Sequence, residues 1–190
     1  MTDFTGRRIL AIVTNYGVEQ DELVVPVEHL RGEGAQVTIA AQKDEPVQTL
    51  VGDKDPGRAV DPTTTIDAVD ADEFEMLLIP GGTLNADSLR LDDDAVAIVK
   101  SFAATGRPIA AICHGPWALV QADVVSGKTL TSYPSLATDI RNAHASSWVD
   151  EEVVLDRSNG YPLITSRTPD DLEAFTSRID EVLSSQSQHA

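Results

Sequence analysis

Short apolar runs rich in β-branched residues alternate along the chain with segments whose apolar residues recur at helical spacing. The runs predict buried strands over Arg8–Thr14, Gln36–Ala41, Met76–Ile79, Pro108–Ile112, Thr129–Thr131, Glu152–Asp156 and Leu163–Ser166. The helical spacing predicts helices over Glu19–Arg31, Asp92–Thr105, Pro116–Ala122, Leu136–Asn142 and Asp170–Leu183. Because strands and helices alternate, we expect an α/β fold with a mostly parallel sheet.

This order of elements predicts a doubly wound, flavodoxin-like three-layer α/β/α sandwich. The 190 residues fit one domain spanning 1–190, with the polar residues 184–190 as a frayed tail. The polar segment Gln42–Asp67 predicts irregular structure, with a small strand or hairpin around Val47–Val51. Ligands bind at the carboxyl ends of such strands, so we expect chemistry in the loops that follow them.

Composition and charge limit the classes of partner. The chain has 31 acidic and 14 basic residues, a formal net charge of −17, which argues against nucleic acid and anionic membranes. We find no apolar run long enough to span a membrane and no signal peptide. A single cysteine cannot form an internal disulfide, so we expect a cytoplasmic protein.

That cysteine, Cys113, lies where a predicted strand stops and a helix begins. Ala111 stands two places before it and Gly115 two places after, the spacing of a nucleophile elbow with Cys in place of Ser. A tight turn directs the side chain outward, near helix N–H groups that stabilise negative charge. We therefore predict an accessible thiol with a lowered pKa; the alternative is a buried, inert cysteine.

Neighbouring residues offer the remaining groups for nucleophilic chemistry. The side chain of His114 can exchange a proton with the thiol, and its backbone N–H is a candidate oxyanion donor. Gly81 and Gly82, after another predicted strand, can present further N–H groups. For His114, the alternative is a histidine that only hydrogen-bonds its own loop. For the two glycines, the alternative is a tight turn without a catalytic role. From composition alone, Glu22 is a solvated acid in an acidic helix.

Motifs for bound groups are missing from the sequence. Neither Cys-x-x-Cys nor His-Glu-x-x-His occurs, and there is no Gly-x-Gly-x-x-Gly or Walker sequence. We therefore expect no metal and no cofactor.

Several segments together resemble the PfpI family of the DJ-1/PfpI superfamily, which has a class I glutamine amidotransferase-like fold. The similarity runs nearly from end to end, and the segments that carry it are Glu22–Pro26, Leu78–Gly82, Ala111–Pro116, Leu130–Pro134, Trp148–Asp150 and Thr165–Leu172. The resemblance implies a stress-related protein that forms a homodimer or a larger homo-oligomer.

The resemblance also assigns roles to individual residues. It implies that Cys113 is the nucleophile or redox centre and that Glu22 is its protonated partner. It implies oxyanion donors at Gly82 and His114, and it places Tyr133 beside the site. In archaeal peptidase members, a glutamate from a neighbouring subunit pairs with the histidine after the cysteine and completes a catalytic triad. Asp87 aligns with that glutamate, and its side chain is one methylene shorter.

Two functions of different classes fit these residues. In the first, the chain is a cysteine-dependent hydrolase of deglycase, glyoxalase-like or intracellular peptidase type, acting on a small carbonyl compound or a protein. In the second, it is a redox sensor or chaperone whose Cys113 is oxidised to a sulfenic or sulfinic acid. Only the hydrolase should need His114 and Asp87.

Overall fold

A computed structural model describes residues 3–186 and places a twisted sheet at the centre of the protein. The strands are β1 (Arg8–Val13), β2 (Tyr16–Glu19), β3 (Gln36–Ala41), β4 (Val47–Val51), β5 (Asp55–Val60), β6 (Thr64–Thr65), β7 (Met76–Ile79), β8 (Ile109–Ile112), β9 (Thr129–Leu130), β10 (Ser147–Trp148), β11 (Val153–Asp156) and β12 (Leu163–Ser166). The helices are α1 (Gln20–Gly32), α2 (Thr83–Leu89), α3 (Asp93–Ala104), α4 (Pro116–Gln121), α5 (Ala137–Asn142) and α6 (Leu172–Gln186).

The central sheet has the strand order β11-β12-β8-β7-β1-β3-β6. Only the edge strand β11 runs antiparallel to its neighbour within the described residues; every other pair in this sheet is parallel. β1, β7 and β8 are adjacent and parallel, so the loops that follow them meet at one edge of the sheet. A smaller sheet, β2-β4-β5, stands beside that edge.

Apolar residues on the two faces of the sheet form two separate cores. One face packs against α1 and α6, through residues such as Leu23 and Phe175. The other packs against α3, α4 and α5, through residues such as Phe102 and Leu119. The predicted three-layer sandwich with a mainly parallel sheet is therefore confirmed. In the described part of the chain, no helix is both long and apolar enough to cross a membrane.

Five short elements are not predicted from the sequence: β2, β5, β6, α2 and β10. Tyr16–Glu19 forms β2, a four-residue strand too short to produce a recognisable apolar pattern. Asp55–Val60 forms β5, although its sequence, Asp-Pro-Gly-Arg-Ala-Val, lacks the alternation typical of a strand; pairing with β4 determines it. Helix α2 directly follows Gly82. At the other end, α6 continues to Gln186, and residues 187–190 of the predicted tail lie outside the described residues.

Candidate active site

Cys113 stands on a sharp turn between β8 and α4. Its φ of 62° is a left-handed conformation, which is strained for a residue with a side chain. The turn needs small neighbours: a Cβ on Gly115 would lie 2.5 Å from the carbonyl oxygen of Ile79. The predicted elbow is therefore present, and the backbone fixes where the sulfur points.

The sulfur faces hydrogen-bond donors from two loops. The backbone N–H groups of Gly82 and His114 both donate to it, and the Glu22 carboxyl interacts with it. Gly82 reaches this position with a φ of 82°, and a Cβ on it would lie 2.2 Å from the carbonyl oxygen of Gly17. An anion that forms at the sulfur, or on an atom bonded to it, is thus met by two fixed dipoles.

Glu22 projects from α1 into the same space and is fully buried. Its Oε2 accepts a hydrogen bond of 2.8 Å from the backbone N–H of Gly81. Its Oε1 is buried and has no conventional hydrogen-bond partner within residues 3–186, while the carboxyl faces the Cys113 sulfur. Burial raises the pKa of Glu22 well above its usual value, which favours the neutral acid.

The thiol is more enclosed than the sequence predicts. Cys113 is only 6% exposed, and burial together with the adjacent Glu22 carboxyl raises its pKa, where the elbow pattern predicts a lowered one. The reason is that loop 80–83 and Glu22 cover the sulfur, which a local pattern cannot reveal. Burial disfavours a negative charge on the thiol and on the carboxyl alike, so the thiolate forms only when a base takes the thiol proton.

His114 lies against the sulfur on its other side. Its Nδ1 is 3.2 Å from Sγ of Cys113, and its Nε2 is 3.3 Å from Oγ1 of Thr83. The imidazole stacks on the ring of Tyr133, with centroids 4.5 Å apart, and meets Trp117 edge to face. Burial lowers the pKa of His114, so near neutral pH the ring is uncharged and can accept a proton.

One predicted residue, Gly81, does not fill the place that the sequence suggests. Gly81 is not an oxyanion donor, because its N–H is bonded to Glu22; its role is steric, since a Cβ there would lie 2.5 Å from Oε2 of Glu22. Asp87 lies exposed on α2, and within the described residues the His114 ring contacts Cys113, Thr83 and Ser135. Its pairing with the histidine of a neighbouring copy stays a prediction.

Sequence reasoning missed the groups around Nε2 of His114. Thr83 begins α2, and both of its polar groups donate to Asp53 at the tip of the β4–β5 hairpin. The one sequence signal for Thr83 is its position directly after Gly81-Gly82. Within the polar segment Gln42–Asp67, no pattern distinguishes Asp53 from the other acidic residues. In the described part of the chain, no cluster of three or more His, Cys, Asp or Glu could hold a metal ion.

Comparisons with known proteins agree with this site. The model of the DJ-1/PfpI family matches residues 7–181. Protein/nucleic acid deglycase 2 of Escherichia coli is 38% identical over 171 residues, covering 90% of this chain and 94% of that protein. General stress protein 18 of Bacillus subtilis is 38% identical over 170 residues, with the same coverage of 90% and 94%.

A solved structure extends the agreement to the fold. The crystal structure of Drosophila melanogaster DJ-1beta superposes with a TM-score of 0.81 and 31% sequence identity, covering 96% of this chain and 91% of that one. Its likeness and the family match span the elbow, the glycine loop and α1. The chain therefore belongs to the DJ-1/PfpI family.

Proposed function

We propose that this protein is a cysteine-dependent hydrolase of deglycase type, which removes dicarbonyl adducts from thiol or amino groups under stress. One observation carries the proposal: the Cys113 sulfur is held between the buried Glu22 carboxyl, the His114 imidazole and the inward-pointing N–H groups of Gly82 and His114. These are the groups that addition of a thiolate to a carbonyl requires.

The geometry supports a definite division of labour. Nδ1 of His114 accepts the thiol proton across 3.2 Å as sulfur adds to the carbonyl carbon. The carbonyl oxygen becomes negative and is stabilised by the N–H groups of Gly82 and His114. The carbon that sulfur attacks is the one that the adduct's thiol or amine leaves, and His114 supplies the proton to that departing group. A proton moved from this carbon to the neighbouring carbonyl carbon gives a lactoyl thioester on Cys113, and water cleaves the thioester to lactate and the free Cys113 thiol. Glu22 stays protonated and hydrogen-bonds the sulfur, so no second negative charge opposes the step.

Exposure favours a small substrate over a folded protein. His114 is only 4% exposed and Cys113 only 6%, so a carbonyl on a small molecule or an extended side chain can reach the sulfur more easily than a peptide bond in a chain. The exposed side of Tyr133, whose ring stacks on His114, borders the approach. The relative named a protein/nucleic acid deglycase supports the same class of reaction.

Location and assembly follow as further parts of the proposal. A location in the cytoplasm fits this protein, because its single cysteine must stay reduced in order to react. A homodimer or larger assembly would bring Asp87, exposed on α2, toward a neighbouring copy. Light scattering on the purified protein measures the assembly, and a monomer would remove that role for Asp87.

The test uses the hemithioacetal formed from methylglyoxal and a small thiol. Hydrolysis of this adduct gives the free thiol and lactate, and we expect wild type to produce both while Cys113→Ser produces neither. Raising the enzyme concentration separates two mechanisms. A deglycase acts on the adduct itself, so its rate of thiol release can exceed the spontaneous dissociation rate of the adduct. A glyoxalase-like enzyme consumes only free methylglyoxal, so its rate of thiol release stops rising when it equals that dissociation rate. Absence of lactate at every concentration would contradict the proposal.

A redox sensor is the second candidate, and Oε1 of Glu22 favours it, because this atom has no conventional hydrogen-bond partner within the described residues and its carboxyl faces the sulfur. A protonated carboxyl beside the sulfur can donate a hydrogen bond to a sulfinate oxygen, which stabilises the oxidised form. Titration with peroxide followed by intact mass tests this function. For a sensor we expect oxidation of Cys113 to stop after addition of two oxygens in wild type and to continue further in Glu22→Ala.

A further inference from the structure

We propose that Asp53 positions the catalytic histidine from within the same chain, acting through the hydroxyl of Thr83. The inference rests on the proposed function for its catalytic meaning, but its structural content can be tested separately. It assigns to the tip of the β4–β5 hairpin a role that the resemblance gives to an acidic residue of a neighbouring subunit.

The hairpin tip is fixed by a buried carboxylate. The backbone N–H groups of Gly52 and Asp53 both donate to the side chain of Glu19, at 3.1 Å each, and Glu19 is only 7% exposed. Asp53 adopts a left-handed φ of 57°, a strained conformation that these bonds support. Since Glu19 lies one turn before Glu22, the tip is tied to the segment that carries the buried acid.

Asp53 in turn holds both polar groups of Thr83. Its Oδ1 accepts from the backbone N–H of Thr83 at 2.8 Å, and its Oδ2 accepts from the Thr83 hydroxyl at 2.6 Å. Thr83 directly follows Gly82, whose N–H points at the sulfur. The carboxylate therefore also fixes the start of α2, and with it the loop that supplies one oxyanion donor.

The direction of the Thr83 hydroxyl proton determines the tautomer of His114. The Thr83 hydroxyl has one proton, and at 2.6 Å that proton goes to Asp53. Toward Nε2 of His114, 3.3 Å away, the same oxygen can only accept. Nε2 therefore carries the ring proton, and Nδ1 presents its lone pair to the Cys113 sulfur at 3.2 Å. This is the tautomer that a base at the sulfur requires.

Ser135 is the other polar neighbour of Nε2. Its Oγ is 3.5 Å away, at the outer limit of a hydrogen bond, and its hydroxyl proton is not directed to a carboxylate by any contact within residues 3–186. Ser135 can therefore accept from Nε2 but cannot select one tautomer. The Asp53–Thr83 pair is the arrangement that makes the selection.

The experiment compares Asp53→Asn, Thr83→Val and the conservative Thr83→Ser with wild type. Asp55→Asn is the matched control, because it removes the same charge from the same hairpin and Asp55 has no side-chain hydrogen bond in the described residues. The readout is the pair of ring nitrogen shifts of His114, measured by NMR with labelled histidine and assigned by the loss of its signals in His114→Gln.

We expect the Nε2–H tautomer in wild type, Thr83→Ser and Asp55→Asn, and a shift toward Nδ1–H in Asp53→Asn and Thr83→Val. An asparagine can donate to the Thr83 oxygen, which frees the hydroxyl proton to face Nε2. Turnover should fall about tenfold or more where the tautomer shifts, since a positioned base contributes on the order of 100-fold or more.

Two outcomes would overturn the inference. In one, Asp53→Asn keeps the wild-type ring shifts; in the other, Asp55→Asn moves them equally, which would mean that general charge and not contact is responsible. Failure of the proposed function is a different result: no turnover in wild type, with the tautomer still dependent on Asp53 and Thr83. Circular dichroism of each variant confirms that it is folded.

Discussion

Replacing Gly81 with alanine should disable the site without disturbing the backbone conformation. Gly81 does not occupy the left-handed region, so the effect of the added methyl is purely steric. Its Cβ would lie 2.5 Å from Oε2 of Glu22, 2.8 Å from Cβ of Cys113 and 2.9 Å from the backbone nitrogen of His114. All three groups belong to the centre of the site, and at least one must move.

The magnitude follows from what is displaced. Crowding a packed interior costs about 1–3 kcal/mol. Moving Glu22 away also breaks the 2.8 Å bond from Gly81 N–H, and a hydrogen bond to a neutral carboxyl contributes about 0.5–1.5 kcal/mol. We therefore expect a loss of unfolding free energy on the order of 3 kcal/mol. Misplacing an oxyanion donor costs about 100-fold in rate, so turnover should fall at least that far.

The assay measures urea unfolding, thiol alkylation and turnover of the methylglyoxal adduct on the same preparations. Gly32→Ala is the matched control, since its added Cβ meets nothing within 4 Å in the described part of the chain and it lies at the end of α1. We expect the control to keep wild-type turnover. If Gly81→Ala retained wild-type alkylation and turnover, the packing of Glu22, Cys113 and His114 around this glycine would not be what makes the site work.

Three other changes have defined outcomes. Glu22→Gln should flatten the pH dependence of stability. Burial raises the folded-state pKa of Glu22, so the stability that its protonation contributes is full below the unfolded-state pKa and is lost as pH rises. The melting temperature of the variant relative to wild type should therefore increase with pH. His114→Ala should abolish turnover and spare peroxide oxidation of Cys113, measured by intact mass; loss of oxidation with turnover retained would reverse the assigned roles. Lys128→Met should cost about 3 kcal/mol in denaturant unfolding, because it removes a buried ammonium that lies 3.7 Å from Asp156 and donates to the carbonyl oxygens of Ser158 and Tyr161; a cost below about 1 kcal/mol would contradict this.

Local sequence predicted the elbow, because its requirements are local. Small residues must flank Cys113 in the turn, and the apolar run of β8 must precede it, so both are visible as a pattern. The N–H donors of Gly82 and His114 followed from the same reasoning. Glu22 differs: by composition it is one acid among several on α1, and only the resemblance singled it out.

Tertiary contacts account for what the sequence could not show. The exposure of Cys113 depends on the loop at Gly81 and on Glu22, which come from distant parts of the chain, and the predicted accessible, low-pKa thiol was wrong for that reason. Asp53 and Thr83 are 30 residues apart and meet only because β4 and β5 pair into a hairpin beside the sheet edge. No spacing rule connects them.

The most direct test of the account is the protonation state of Glu22 beside Cys113. An infrared difference spectrum between wild type and Glu22→Gln at neutral pH isolates the signal of this one carboxyl. We predict the carbonyl band of a protonated acid, which shifts when Cys113 is alkylated because its hydrogen bond to sulfur is lost. Carboxylate bands in place of the acid band would contradict the neutral Glu22 carboxyl, and with it the chemistry assigned to the site.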